Sequence, residues 1–490
     1  MKYLFTALIA LGSIGATAQT NIFLDRGYWK TAPSVASIQE LIQKGNNPAE
    51  LNNASYDPVV FAISEKAPNE SIMFLLSQKG NDVNKLTHDG RTYIFWSASA
   101  GNIELMEYLL KNGAKLDLID DHGASAVNFA AGSGQANTKV YDLLLNKKAD
   151  IKKDVNEDGA NALLLSAGAD KDFALLNYFT SKGLDINSTD DNGNTIFNYV
   201  ARAGRIDVLA KLIERGVKFN DSAFILASQG GRGGANTIEL FQLLESLKLN
   251  PAVVAKNGQT ALHGLARRDK QSEIIKYFIS KGVDVNKADN DGNTALMIAA
   301  ASNRDLNAIE LFATSVKNVN QRNKSGVSAL AFAVKGNNPE IAGALIAKGA
   351  DVNVVDANGD NLAYYLVQSF TAQNAAAFDA KMKMLQDKGL DLATPQKSGN
   401  TLYHLAIAKN DLGLMKRIEN LNIDKNAKNG EGYTALHKAA MGAKDDSIIK
   451  YLLATGAKKD AKTEFGETAY DLADENEFLS NNKVSIDFLK

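Results

Sequence analysis

Five histidines are the side chains of this chain best suited to proton or metal chemistry near neutral pH: His88, His122, His263, His404 and His437. Cysteine is absent, which removes thiolate nucleophiles, thiolate metal sites, disulfides and a lipid anchor on cysteine. His88 and His122 sit beside Gly90 and Gly123 on turns that read as neighbours, so a two-histidine metal pair is open to them. Exposed turn histidines are the commoner outcome of such placement. The sequence contains no His-Glu-x-x-His metal motif, no Gly-x-Ser-x-Gly nucleophile elbow and no glycine loop ending in Gly-Lys-Ser/Thr. The glycine cluster from Gly230 to Gly234 joins two helical segments instead of following a strand, and no lysine-threonine pair follows it, which argues against a phosphate cradle. Aspartates are plentiful, but the Asp of each Asp-Gly belongs to a turn, and a catalytic carboxylate pair would have to be assembled from different repeats by chance. The expectation is a chain that is not an enzyme and that needs no cofactor or metal.

The elements that would position these residues recur. Asn-Gly-Gln-Thr-Ala-Leu-His begins at Asn257, Asp-Gly-Asn-Thr-Ala-Leu-Met at Asp291 and Glu-Gly-Tyr-Thr-Ala-Leu-His at Glu431. Turn glycines at Gly90, Gly123, Gly159, Gly193, Gly258, Gly292, Gly326, Gly359, Gly399, Gly432 and Gly466 return at intervals of roughly 33 to 36 residues. One interval is near double and hides a worn copy at Asp221-Ser222-Ala223-Phe224; another is near 40. Each copy continues with small apolar residues such as Ala299-Ala300, a second apolar segment such as Ile103, Met106, Leu109 and Leu110, and a Lys-Gly or Asn-Gly stop. That pattern predicts helix, turn, helix and glycine cap. Asp291-Gly292 supplies a tight turn, with the aspartate bonding its own backbone, and Thr294 offers a hydroxyl to the first free N–H groups of the next helix. One such unit cannot bury its apolar face alone, so stability must come from stacking.

With Lys348-Gly349-Ala350-Asp351-Val352-Asn353 and Ser280-Lys281-Gly282-Val283-Asp284-Val285-Asn286 each feeding the next turn, the chain resembles the ankyrin repeat. The resemblance covers nearly the whole chain. It implies an all-α ankyrin-repeat solenoid of about 13–14 helix-turn-helix repeats with β-hairpin-like loops. The proline of the family's Thr-Pro-Leu-His phrase is replaced throughout, so each first helix loses a preorganised start. The resemblance assigns His263, His404 and His437 a structural hydrogen bond between hairpin and helix. It also implies that a protein partner is bound by hairpin tips and by the exposed side of the first helix. The early tips carry Asp89, Asp121, Glu157, Asp158 and Asp191; the later ones carry Lys256, Lys324 and Lys397, with Arg202, Arg267, Arg268, Lys335 and Lys409 on the helices. These eight cations are the candidate protein-binding residues, and they point to an acidic protein partner.

The formal net charge of −2 and the mixture of basic and acidic tips argue against nucleic acid. Lys2, the apolar run from Tyr3 to Ile14 and Ala16-Thr17-Ala18 read as a signal peptide over 1–18, too short to span a bilayer, with no membrane insertion expected elsewhere. Export without a cysteine anchor points to the bacterial periplasm, with secretion as the alternative. Residues 19–55 read as an amino-terminal capping repeat, 56–464 as the array and 465–490 as a polar carboxy-terminal cap. Oligomeric state is not legible.

A longer period runs through the short one. Asp170-Lys171, Tyr178-Phe179, Ser181-Lys182-Gly183, Asp185 and Asn187 recur as Asp269-Lys270, Tyr277-Phe278, Ser280-Lys281-Gly282, Asp284 and Asn286, so three repeats form a unit of about 100 residues. Insertions at Gly132-Ser133-Gly134-Gln135, at Gly230 to Gly234 and around Ser369 to Ala377 interrupt the frame. Such insertions map to surface loops, where they serve function or are simply tolerated.

Overall fold

Most repeats are organised by one polar side chain three residues before the turn glycine; the repeat of Gly258, with Ala255 in that place, closes its turn by backbone bonds. Asp289 Oδ1 accepts the N–H groups of Asp291 and Asn293 at 3.0 and 2.8 Å, and Asn323 does the same for Ser325 and Val327. Asp120, Asn156, Asp190, Asp356 and Asn429 repeat the device. The sequence had pointed to Asp291 itself as the aspartate that closes the turn; the closing acceptor is Asp289, and Asp291 is exposed at the tip. The reason is geometric: a carboxylate can reach N–H groups two and four residues ahead, and cannot fold back onto its own tight corner. Gly292 then takes φ +84°, and its backbone lies so near the next hairpin that a Cβ would sit 2.7 Å from Lys324 N.

These turns launch helices. The computed structural model describes residues 21–145, 151–231 and 233–490; the expected signal over 1–18, the first residues of the expected amino-terminal cap and Arg232 lie outside the described residues. Among those described there is no named strand, only isolated bridges such as Ala288 with Thr294 and Arg322 with Ser328 at the hairpin bases. Thr294, Ser328, Ser125 and Asn161 cap their helices by accepting the N–H three residues on.

The described residues fall into two units, one made of the residues up to Val200 with Asp207–Phe219 and the other of Ala201–Ile206 with Asn220–Lys490. In each, first helices lie side by side and second helices form a layer behind them. In the second unit Ala295–Ser302 packs on Ala329–Gly336, and Leu306–Ser315 on Pro339–Ala347. Ala299 and Ala300 are fully buried, and Gly336 passes close enough that a Cβ would meet the Ala301 carbonyl oxygen at 2.6 Å. Between the layers Phe224, Phe241 and Phe278 meet edge to face at 5.1 and 5.8 Å. Each fully buried ring contributes about 2–3 kcal/mol of apolar transfer.

Asparagines sew successive repeats together. Asn303 Nδ2 donates to the carbonyls of Ala266 and Arg268 at 3.1 and 2.9 Å, Asn337 to those of Ala300 and Asn303, and Asn476 to those of Ala440 and Ala443. Each thereby satisfies the unpaired end of the preceding first helix. The insertion beginning at Ser369 displaces that asparagine. Expected to be a surface loop, it folds instead into a capped turn, Thr371 to Asn374, and the start of the helix Ala375–Asp387. Lys381 on that helix takes over the missing role, its ammonium donating to Val334 O at 2.7 Å and Asn337 O at 3.0 Å.

The two copies of the long period make the same contact within their own units. Tyr178 and Lys182 both reach Asp142 at 2.8 Å, and Tyr277 and Lys281 both reach Glu245, at 2.8 and 2.5 Å.

Candidate protein-binding surface

All eight candidate cations belong to the second unit. Its hairpins are joined edge to edge by backbone bonds: Asn290 N to Asn257 O, Lys324 N to Asp291 O, Ala357 N to Ser325 O and Lys397 N to Gly359 O, at 2.8 to 3.2 Å. This ladder places Lys256, Lys324 and Lys397 along one edge, all exposed. Arg267 and Lys335 are exposed near the ends of their first helices.

The other three behave differently. Arg268 Nε donates to Gln229 O at 2.6 Å and its Nη2 to Gly231 O at 3.4 Å; Lys409 Nζ donates to Gln368 O at 3.1 Å; Arg202 Nε donates to Gly230 O at 3.3 Å. Their acceptors are the last carbonyls of neighbouring first helices, where the helix dipole favours a cation. Arg202, Arg268 and Lys409 are therefore stacking contacts as well as surface charges, which spacing within one repeat could not reveal. The same edge is not uniformly basic: Asp291 stands exposed on its tip, and Glu431 pairs with Lys438 at 2.5 Å.

The three buried histidines are spoken for. In each, Nδ1 accepts the N–H of the helix-capping threonine, Thr260, Thr401 or Thr434, at 3.0 to 3.2 Å. That fixes the proton on Nε2, which donates to the next repeat's hairpin at Asn293 O, Tyr433 O and Ala461 O, at 3.2, 2.9 and 2.9 Å. Burial lowers the pKa of all three. They are neutral clamps between repeats.

In the first unit His88 and His122 do converge, each placing Nε2 3.4 Å from Asp89 Oδ2. Arg91 Nη1 lies 2.9 Å from that same oxygen, and its guanidinium also holds Asp120 at 2.8 Å. A cation of the protein thus occupies the place a metal would need. Among the described residues no group of three histidine or carboxylate side chains could hold a metal ion.

Sequence reasoning missed a further set of pins. Trp96 Nε1 donates to Thr87 Oγ1 at 2.9 Å, Tyr199 OH to Asp190 Oδ2 at 3.0 Å and Tyr365 OH to Asp356 Oδ2 at 2.7 Å. In each case an aromatic on the first helix holds the turn-closing residue nine positions earlier. The constant separation was the available signal.

Family models for ankyrin repeats match residues 59–154 and 224–314 (three-copy model), 164–213 and 418–473 (many-copy models) and 325–357 (single repeat), together well over half of the chain. An ankyrin repeat protein of Fowlpox virus (strain NVSL) is 28% identical over 156 residues, 31% of this chain and 22% of that protein. A transient receptor potential cation channel subfamily A member 1 homolog of Caenorhabditis elegans is 23% identical over 228 residues, 46% of this chain and 16% of the relative. The chain thus spans less than a quarter of the length of these curated relatives. Among solved structures, the ankyrin repeat domain of Bcl-3 aligns with 46% of this chain and 100% of its own, at 19% identity and a TM-score of 0.36. Ankyrin repeats are protein–protein interaction scaffolds and in general non-catalytic modules. With repeating turns, capped helix pairs and matching family models along most of its length, the chain belongs to the ankyrin repeat family.

Proposed function

We propose that this protein is a non-catalytic scaffold that holds an acidic protein partner along the hairpin edge and first helices of its second unit. The observation that carries the reading is the row of exposed cations in corresponding places on alternate repeats: Lys256, Lys324 and Lys397 on the hairpins, Arg267 and Lys335 on the helices. Repeated like charge on a rigid ladder creates a field that steers an oppositely charged partner. The mixture of acidic and basic tips supports a protein rather than a nucleic acid. In this reading residues 1–18 are a cleaved export signal, 19–55 and 465–490 cap the array, and the protein works in a bacterial periplasm. There it protects or assembles a client such as a stress enzyme; release to the medium would make it an effector or adhesin. No helix among the described residues is long and apolar enough to cross a membrane.

The test is cross-linking of tagged full-length protein in its native compartment, beside an Arg267→Glu/Lys335→Glu variant. The expected result is an acidic protein captured by the wild type and lost in the variant at unchanged Tm. A partner equally retained by both moves the contact off this edge, and fractionation of the processed protein into the cytoplasm overturns the export reading.

A further inference from the structure

The first unit carries an edge of a different kind. Leu86, Ile119 and Val155 each stand four residues before a turn glycine, and each is exposed, by 60, 64 and 42%. Single exposed aliphatic residues are ordinary, but three in the same place on consecutive hairpins form a row. Their register is fixed. The following residues, Thr87, Asp120 and Asn156, bond Arg91 O, Ala124 O and Ala160 O at 2.8 to 3.0 Å, and the hairpins are joined by Asp121 N to Asp89 O and Glu157 N to His122 O. In the second unit exposed Val254 and Val355 hold the corresponding place on two hairpins, but Ala288 and Arg322 between them and Pro395, Lys428 and Lys462 after them break any such row.

The rim of this row is acidic. Asp121, Glu157 and Asp158 are exposed beside it on the tips, with Asp117 two residues before Ile119. The cations nearby are largely matched within the fold: Arg91 by Asp89 and Asp120, Lys85 by Asp57 at 2.7 Å, and His122 lies between Asp89 and Glu157. Lys152 extends over Gly183, towards the end of a second helix, and Lys153 is exposed two residues before Val155.

Packed helices stand on the order of 10 Å apart, so the row advances by that step from repeat to repeat. A helix rises about 1.5 Å per residue, and about seven residues cover one step. We infer that this edge docks a cationic amphipathic helix from a protein partner, with apolar side chains about seven residues apart seated on Leu86, Ile119 and Val155 and lysines or arginines facing Asp121 and Glu157. The inference rests on the chain being a protein-binding scaffold, and adds to it a second surface of opposite polarity to the basic edge.

The probe is a synthetic helical peptide of about 21 residues with leucines at that spacing and lysines beside them, titrated against the full chain by fluorescence anisotropy, with a scrambled peptide of the same composition alongside. The expected result is saturable binding of the patterned peptide alone, weakened about tenfold by Ile119→Ser with Tm unchanged, and losing much of its salt dependence in Asp121→Asn/Glu157→Gln. Leu86→Ser gives the same loss should Ile119→Ser alter Tm. Equal binding of the scrambled peptide, no binding at all, indifference to both serine substitutions, or light scattering that shows the row occupied by a second copy of the chain each overturn the inference. Arg267→Glu/Lys335→Glu leaves peptide binding intact, so failure here and failure of the acidic-partner reading are separate outcomes.

Discussion

Lys381 offers the sharpest quantitative test of how the stack is held. Its side chain is 2% exposed, and its ammonium caps two carbonyls at the end of the helix Ala329–Gly336. Burial pushes its pKa down from 10.5 to about 8. Between those values the unfolded chain binds the proton that the folded chain has released, so stability rises as pH climbs from about 8 towards 10.5 and is lowest below that window. The full displacement is worth about 3 kcal/mol, and the part gained between pH 7 and pH 9 about 1 kcal/mol. Lys381→Met keeps the aliphatic stem and removes the titration. Tyrosines also lose protons as pH climbs, but they do so in both proteins and cancel. The assay is urea unfolding of wild type and variant at pH 7 and pH 9. The difference in stability between them should shift by about 1 kcal/mol in favour of the wild type at the higher pH. Parallel shifts in the two proteins would falsify the placement of a buried, titrating lysine at this junction.

Asn303→Ala strands two carbonyl groups beside a fully buried side chain, and urea melts should register a loss of about 2–4 kcal/mol; a loss under about 1 kcal/mol would show that water takes the asparagine's place. Arg268→Ala should cost about 1–3 kcal/mol because its guanidinium caps Gln229 and Gly231, whereas Arg267→Ala, with an exposed side chain, should stay within about 0.5 kcal/mol. Similar effects from the two would refute the division between stacking and surface arginines. For His263, His404 and His437 the folded pKa is depressed, so their contribution is complete above the ordinary 6.5 and is lost as pH falls through the folded values. A His263→Gln/His404→Gln/His437→Gln variant should accordingly show a shallower loss of urea stability between pH 7 and pH 5 than the wild type.

How much of this is legible in the sequence follows from the range of each interaction. The period, the helix pairs and the threonine caps lie within a single repeat, so Gly292 and Thr294 announce them. Even there the acceptor was misplaced, from Asp289 to Asp291, because two carboxylates stand within three residues of the turn glycine in this copy and only their reach distinguishes them. Contacts that join one repeat to the next carry a separation of roughly one period, and no local pattern marks them. Arg268 and Lys409 therefore read as groove charges although their N–H groups end on the preceding helix. Lys381 was still less visible, since it does by chance of an insertion what an asparagine does elsewhere.

That substitution of one donor for another says what the fold requires. In a stack, each first helix ends against its successor, and its last carbonyls are shut away from water before its own residues can satisfy them. The successor must bring a donor, and the chain brings whatever its local geometry allows: an asparagine amide at Asn303, Asn337 and Asn476, an arginine at Arg268, an ammonium at Lys409 and Lys381. The histidines answer the same demand at the hairpin side, with Nε2 reaching forward to Asn293, Tyr433 and Ala461. Because donor and acceptor belong to different repeats, removing one weakens an interface and not a repeat, and the damage should spread no further than the two neighbours it joins. Exposed residues such as Arg267, Lys324, Lys335 and Lys397 on one edge and Leu86, Ile119 and Val155 on the other are where the chain can vary its surface without loosening the stack.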